Sequence, residues 1–290
     1  MTNLILEYEL SIRLTAFFTI FAAMALWEVA SPCRKRRFKR SQRWVGNIGI
    51  VILNSLLLRL LFPAAALGMA SYTAVNGWGL LHAIDLPFWL DILIAVLLMD
   101  MVIYLQHVMV HAVPVLWRLH RVHHADPDYD LTTGARFHPI EIIISMLIKI
   151  TTIAALGPPI VAVVIFEVVL NGMAMFNHGN VRLPMPLDRV LRWVIVTPDM
   201  HRVHHSVEPN ETNSNFGFNL SLWDRLMGTY RQQPRLGQQG MEIGISSLRD
   251  PKMTNRLTGM LWIPFLQDKD VYSINRRPWK SDHEPGDAQP

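Results

Sequence analysis

The string His-Arg-Val-His-His stands twice in this chain, at His120–His124 and at His201–His205. Between the copies lie two apolar runs, Ile140–Leu156 and Ile160–Phe176, parted by Gly157-Pro158-Pro159. Each run is close to the minimum of about 17 residues that crosses a bilayer as a helix. If both copies serve one site, they must end on one face. Two crossings return the chain to the face it left, and a single crossing does not. The tight turn therefore predicts a helical hairpin, fully spanning or re-entrant, with the histidines at its open end. Lys149, Glu167 and Asn171 inside the hairpin require one side to be turned away from lipid.

Three more apolar runs precede the hairpin. The first, Leu14–Ala30, is followed by Arg34-Lys35-Arg36-Arg37-Phe38-Lys39-Arg40. A secretory signal carries its charge before the apolar run and has a small-residue cleavage site after it, so this run is expected to be a retained anchor. By the positive-inside bias, the basic run places its C-terminal end in the cytoplasm. The second run, Val45–Ala70, contains Asn54 and Arg59 and is expected to kink at Pro63. Arg59 either snorkels to an interface or has a partner. Tyr72–Pro87 reads as a loop, with Trp78 and Trp89 as interfacial anchors. The third run, Phe88–Val110, returns to the cytoplasmic face, where Pro114 breaks the helix and His120 begins a new one.

Composition agrees with this reading. The 290 residues are 51% hydrophobic and only 17% charged, with mean hydropathy +0.22. That is too apolar for an ordinary soluble domain. The net charge of +4 is concentrated beside an apolar run. This is a topology signal, and no nucleic-acid partner is expected. The single Cys33 can form neither an intrachain disulfide nor an iron–sulfur site and is given no role.

The histidines carry the chemistry. His107 and His111 stand at i and i+4, and in each His-Arg-Val-His-His copy the i, i+3 and i+4 positions share a helix face. Neutral imidazole is the commonest metal ligand. One histidine on an apolar face is ordinarily a hydrogen-bonded core or surface residue, but eight in three boxes are not explained that way. His138 and His178 are further candidate ligands, with orienting a ligand from behind or capping a helix as the alternative for each. His82 and His283 lie outside every cluster and are given no role. Eight to ten nitrogen donors exceed what one ion needs, so two ions sharing the set are expected. Between His107 and His111 stand Val108, Met109 and Val110, so the glutamate of a zinc hydrolase is missing. Asp100 lies two helical turns before His107, on the face that also carries Tyr104, His107 and His111. A structural ion pair or cap would account for it. The favoured expectation is a carboxylate that orients a metal-bound histidine.

The three boxes, Asp100, the Arg136–Glu141 segment and Asn215-Phe216-Gly217-Phe218-Asn219 with Trp223-Asp224-Arg225 resemble the fatty acid hydroxylase, or sterol desaturase, superfamily over about residues 90–231. The resemblance implies an integral membrane di-iron oxygenase that hydroxylates or desaturates a fatty acyl chain, a sterol or an ether lipid. The ligands it implies are His107 and His111, then His120, His123 and His124, then His201, His204 and His205. It further implies two ferrous ions, O2 and two external electrons per turnover. Zinc would be held equally well by such donors. The chain has no cysteine cluster and no Gly-x-Gly-x-x-Gly fingerprint. The electrons must then come from a separate redox protein or a diffusible reductant. Trp223 and Asp224 could help seal the site from the cytosol, but the favoured reading is an ordinary buried tryptophan with a capping aspartate.

The expectation is an all-α, multi-pass membrane bundle of about five spans with a cytosolic histidine-rich catalytic cap. Residues 1–86 would hold the first spans and the basic loop, 87–231 the catalytic domain, and 232–290 a polar cytosolic tail, disordered over 281–290. The membrane would be the inner membrane of a bacterium or the endoplasmic reticulum of a eukaryote. The alternative is a divalent-metal transporter or sensor. Transporters hold their ions near mid-membrane on broken helices, whereas these boxes fall at helix ends.

Overall fold

The computed structural model describes residues 2–267 and 272–274, and the expected disorder at 281–290 and His283 lie outside them. Among the described residues there is no β-strand, only three isolated bridges. Five segments are long and apolar enough to cross a membrane: Glu7–Ala30, Arg40–Ala83, Phe88–Ala112, Pro139–Leu156 and Ile160–Asn177. In lipid every backbone group must be bonded within its own segment, which is why apolar runs of this length become helices.

The first helix is α1 (Thr2–Ala30). The second crossing is broken into α2 (Arg40–Leu61) and α3 (Ala65–Asn76). The break falls at Phe62-Pro63-Ala64, because proline has no amide hydrogen to continue the ladder. Arg59 sits exposed in the last turn of α2, as a residue snorkelling toward an interface would. Helix α4 (Phe88–Ala112) is followed after one residue by α5 (Pro114–His124), whose proline occupies the first helical position. The hairpin is α6 (Pro139–Leu156) and α7 (Ile160–Asn177). Gly157 ends α6 in the left-handed conformation, at φ 62°. A Cβ there would also collide with the Trp78 carbonyl, so the turn needs glycine twice over.

The ends of α1, α4 and α7 and the starts of α2 and α6 converge on one face. Apolar residues of α3, α4, α6 and α7 form a core in the membrane-spanning half, around Ala70, Ala95, Met99, Ile153 and Phe166. At the converging face the packing is polar. The Arg43 guanidinium meets Asp126 with two bonds of 2.6 and 2.9 Å and reaches Asp130 at 2.5 Å. None of the three side chains is exposed. Burial raises the Asp126 carboxyl, but Arg43 and Arg136 outweigh it and hold the carboxyl below its ordinary range. This network ties the loop after α5 to the start of α2.

Residues 232–267 pack against α5. Ile245, Leu248, Met260 and Ile263 pack with Trp117 and Val122 of α5, and Tyr272 stacks on Trp117 at 5.7 Å. The apolar residues here are too sparse for a span, but they close one core beneath the histidines.

Candidate metal centre

Helix α4 carries His107 and His111 in its last two turns, and α5 carries His120, His123 and His124. Two further helices complete the approach, α8 (Met185–Leu191) and α9 (Pro198–His204). The second copy of the repeated string lies on α9 and its C-terminal residue His205. Helix α9 begins with Thr197, whose hydroxyl accepts from the Met200 amide, and with Pro198 at its first position. His178 follows the last residue of α7.

These nine histidines form two buried groups. His107, His111, His120, His124 and His204 make one, and His123, His178, His201 and His205 the other. Within each group the candidate ligand atoms lie within 4.8 Å of one another. The groups are side by side: His124 stacks on His205 with centroids 4.5 Å apart.

The outer nitrogens show how the rings are held. Nδ1 of His107 donates to the Phe216 carbonyl at 2.8 Å and Nδ1 of His204 to the Ser214 carbonyl at 2.8 Å. Nδ1 of His120 meets the Glu141 carboxylate at 2.6 Å, and Nδ1 of His111 meets Oδ1 of Asn213 at 3.0 Å. Nδ1 of His178 donates to the Ala174 carbonyl at 2.8 Å. Each such bond puts the proton on Nδ1 and leaves a lone pair on Nε2. Nε2 of His107, His111, His120 and His204 is buried without a hydrogen-bond partner. Nε2 of His178 faces Nε2 of His201 at 3.1 Å and of His123 at 3.2 Å. Buried polar atoms are ordinarily paired. A ring of aligned, unpaired imidazole nitrogens fits a bound cation, and an all-imidazole set suits zinc, copper, iron or nickel.

Electrostatics keep the candidate ligands neutral. Burial, with neighbouring imidazoles adding to it, pushes His123, His124, His201 and His205 well below the usual histidine range. Burial takes His178 and His204 down to about 3, against their bonds to the Ala174 and Ser214 carbonyls.

Two expected site residues are placed elsewhere. His138 joins neither group. It caps α6, its Nδ1 accepting from the Ile140 amide at 3.2 Å, since a residue just before a proline-led helix is well placed to satisfy a free amide. Asp100 touches no histidine. Its carboxylate accepts from Trp223 Nε1 at 2.8 Å and from the Leu220 amide at 3.2 Å. Asp100 shares the buried side of α4 with Tyr104, His107 and His111, but the loop over 215–224 lies against that face and takes the bonds. Asp224, fully buried, accepts from the Phe216 and Gly217 amides at 2.7 and 2.8 Å. Asp100 and Asp224 thus fix the loop whose Phe216 carbonyl holds His107. His82 is exposed on the segment Leu80–Ala83, away from the groups.

Glu141 and Asn213 are the orienting residues that spacing did not single out. Each lies far from its histidine in the chain, by 21 and 102 residues. The one local signal was Glu141 in the first turn of a helix led by His138-Pro139.

The sequence model of the fatty acid hydroxylase family matches residues 92–229, the stretch that holds all nine histidines. The chain carries a fatty acid hydroxylase domain. The domain's relatives agree. The ornithine lipid hydroxylase OlsE of Rhizobium tropici is 27% identical over 90% of this chain and 78% of its own length. An alkylglycerol monooxygenase of Xenopus tropicalis is 26% identical over 76% of this chain, which spans about half, 48%, of that relative. A cholesterol 25-hydroxylase of Rattus norvegicus is 25% identical over 49% of this chain and 47% of its own length. No solved structure matches the chain.

Proposed function

We propose that this protein is a membrane-bound oxygenase that inserts one oxygen atom of O2 into an unactivated C–H bond of a membrane lipid. The observation that carries the reading is the pair of buried histidine groups, each with its candidate ligand atoms within 4.8 Å of one another, and the unpaired Nε2 of His107, His111, His120 and His204. Its relatives are named as hydroxylases or monooxygenases of ornithine lipid, alkylglycerol and cholesterol. Two iron ions, one per group, would supply the activation of O2. His107, His111, His120, His124 and His204 would hold one, and His123, His178, His201 and His205 the other.

The protein's own residues do the rest. Glu141, Asn213 and the Phe216, Ser214 and Ala174 carbonyls set ring orientation and tautomer. Phe137 stacks on His123 at 4.5 Å and closes the groups from one side. A cavity of about 360 Å³ runs from His107, His120 and His123 toward Lys149 and Glu167 between α1, α2, α4, α6 and α7. It brings a lipid tail to the metals while the head stays in the interface. Hydroxylation follows RH + O2 + 2 electrons + 2 protons → ROH + water, with the electrons from an external donor. Desaturation of the same bond position is the second outcome of this chemistry. The histidine face lies in the cytoplasm because the basic run 34–40 lies on it. A transporter is disfavoured because both groups sit at the ends of spans.

The test uses purified protein loaded with ferrous iron, a reductant, candidate lipids and ¹⁸O2. Label in a hydroxylated lipid is the expected result. Product formed equally without O2, or with zinc in place of iron, would overturn the reading.

A further inference from the structure

A second cleft opens on the histidine face, outside the substrate cavity. Its volume is about 400 Å³, and Arg34, Lys35, Arg37, Asp128, Tyr129 and Glu242 line it. Tyr129 forms its inner wall. That ring stacks on His178 at 5.6 Å and meets His205 edge-on at 5.2 Å, so one aromatic ring separates the cleft from the four-histidine group. Tyr129 is buried, its hydroxyl donating to the Asn177 carbonyl at 2.6 Å, and the buried Arg202 lies over its ring at 5.3 Å.

The rim is built into the fold. The Arg34 backbone is clasped by the Asn180 side chain through two bonds of 2.9 Å, and Asn180 stands two residues after His178. The Arg37 and Phe38 amides both donate to Asp128 at 2.8 Å, beside Tyr129. The Arg34 guanidinium bonds to the Gln238 carbonyl and, at 2.6 Å, to the Met241 carbonyl. The basic run is therefore anchored on the two segments that carry the inner wall, with Lys35, Arg36 and Arg37 exposed around the opening. Two carboxylates, Asp128 and Glu242, face three basic side chains in the lining, and Arg36 adds a fourth cation nearby.

We infer that this cleft is the electron-entry site and that it docks the acidic surface of a small one-electron carrier protein. The inference rests on the oxygenase reading. Each carrier is oxidised by one electron, and two encounters supply the two electrons of a turnover, two protons coming from water. The basic rim steers the acidic carrier, and Tyr129 is the thinnest wall between the docked carrier and the metal ligands. Charge pairs at such a rim act mainly on association rate and salt dependence.

The test uses the full chain in nanodiscs of neutral phosphatidylcholine, with a plant-type [2Fe–2S] ferredoxin as the probe. Fluorescence anisotropy measures ferredoxin binding to metal-free protein, and rapid mixing follows oxidation of reduced ferredoxin by metal-loaded protein. Binding is expected to weaken steeply with salt, and Lys35→Glu with Arg37→Glu to weaken it about tenfold at low salt. Tyr129→Leu is expected to leave binding unchanged and to slow ferredoxin oxidation, with Tyr129→Phe restoring it at equal metal content. Equal ferredoxin affinity in the charge-reversed and unaltered proteins would overturn the inference. So would a charge reversal that abolishes capture of phosphatidylglycerol vesicles but leaves ferredoxin binding intact, which would make the cleft a headgroup site. Failure of the oxygenase reading is seen separately, as no hydroxylated lipid from the unaltered protein with dithionite and ¹⁸O2.

Discussion

Nε2 of His178 lies 3.1 Å from Nε2 of His201, although His178 caps the end of α7, His201 lies in α9 and His178 belongs to none of the three boxes. The Ala174 carbonyl takes the His178 Nδ1 proton, so its lone pair points at His201 and His123. Gly134 makes room for this. A Cβ at Gly134 would collide with the Ala174 carbonyl and lie 2.9 Å from His178 Nδ1. Replacing His178 with Ala should therefore remove one bound ion and leave the five-histidine group filled. Metal analysis should fall from about two ions per chain to about one, as in His201→Ala. Two ions retained in His178→Ala would remove it from the ligand set.

His138 provides the contrast. It accepts from the Ile140 amide and sits in neither group. His138→Ala should keep its full metal content and lose about 1 kcal/mol or less of stability, the size of a helix cap. Loss of metal at unchanged folding would return it to the ligands.

Glu141 holds His120 through a bond 2.6 Å long. Glu141→Gln keeps shape and hydrogen-bonding capacity but removes the charge. Metal affinity or activity should drop about 10–100-fold with membrane insertion unchanged. A chelator competition assay reads the affinity, and full retention would show that the carboxylate is dispensable.

Asp100 acts at one remove, through Trp223 and Leu220. Asp100→Asn and Trp223→Phe should each loosen the 215–224 loop. In a double-mutant cycle the two effects should be clearly less than additive, because both cut one interaction. Additive losses would place Asp100 in a different role.

The metal-free protein should lose stability in mild acid. An unfolded histidine titrates near about 6.5, whereas His178 and His204 in the fold titrate at about 3. Their folded values are depressed, so between those limits the unfolded chain binds more protons. The free energy of unfolding should fall by about 1.4 kcal/mol per such histidine for each pH unit below about 6.5, and stay flat above. Thermal melts in nanodiscs from pH 8 to 5 measure this. A melting temperature that rises on acidification would contradict the neutral, buried state of these rings.

Apolar run length by itself determined the five helical segments long enough to cross a membrane, because a lone backbone segment in lipid can satisfy its polar groups only as a helix. The kink at Pro63 and the turn at Gly157-Pro158-Pro159 were legible for equally local reasons. The repeated His-Arg-Val-His-His string was enough to pair α5 with α9 and to demand an even number of crossings between them. What spacing could not decide was which nitrogen belongs to which ion. The boxes are divided in space: His120 and His124 fall in one group and their neighbour His123 in the other, and His204 parts from His201 and His205. Helical periodicity sorts residues by face, but the sorting here comes from where α4, α7 and α9 meet α5. The outer partners were invisible for the same reason. Glu141 reaches His120 only once α6 packs on α5, and Asn213, Ser214 and Phe216 reach their histidines only once the loop over 213–224 lies across the ends of α4 and α9. Asp100 was legible as a buried charge on the correct face, yet its partner was chosen by that loop. The basic run 34–40 carries the same lesson. Its charge predicts an orientation, but only the contacts of Arg34 with Asn180 and of Arg37 with Asp128 lay it beside Tyr129. Hydrophobic runs act locally and survive in one dimension. Hydrogen bonds and ligand sets join distant segments, and packing alone brings those within about 3 Å.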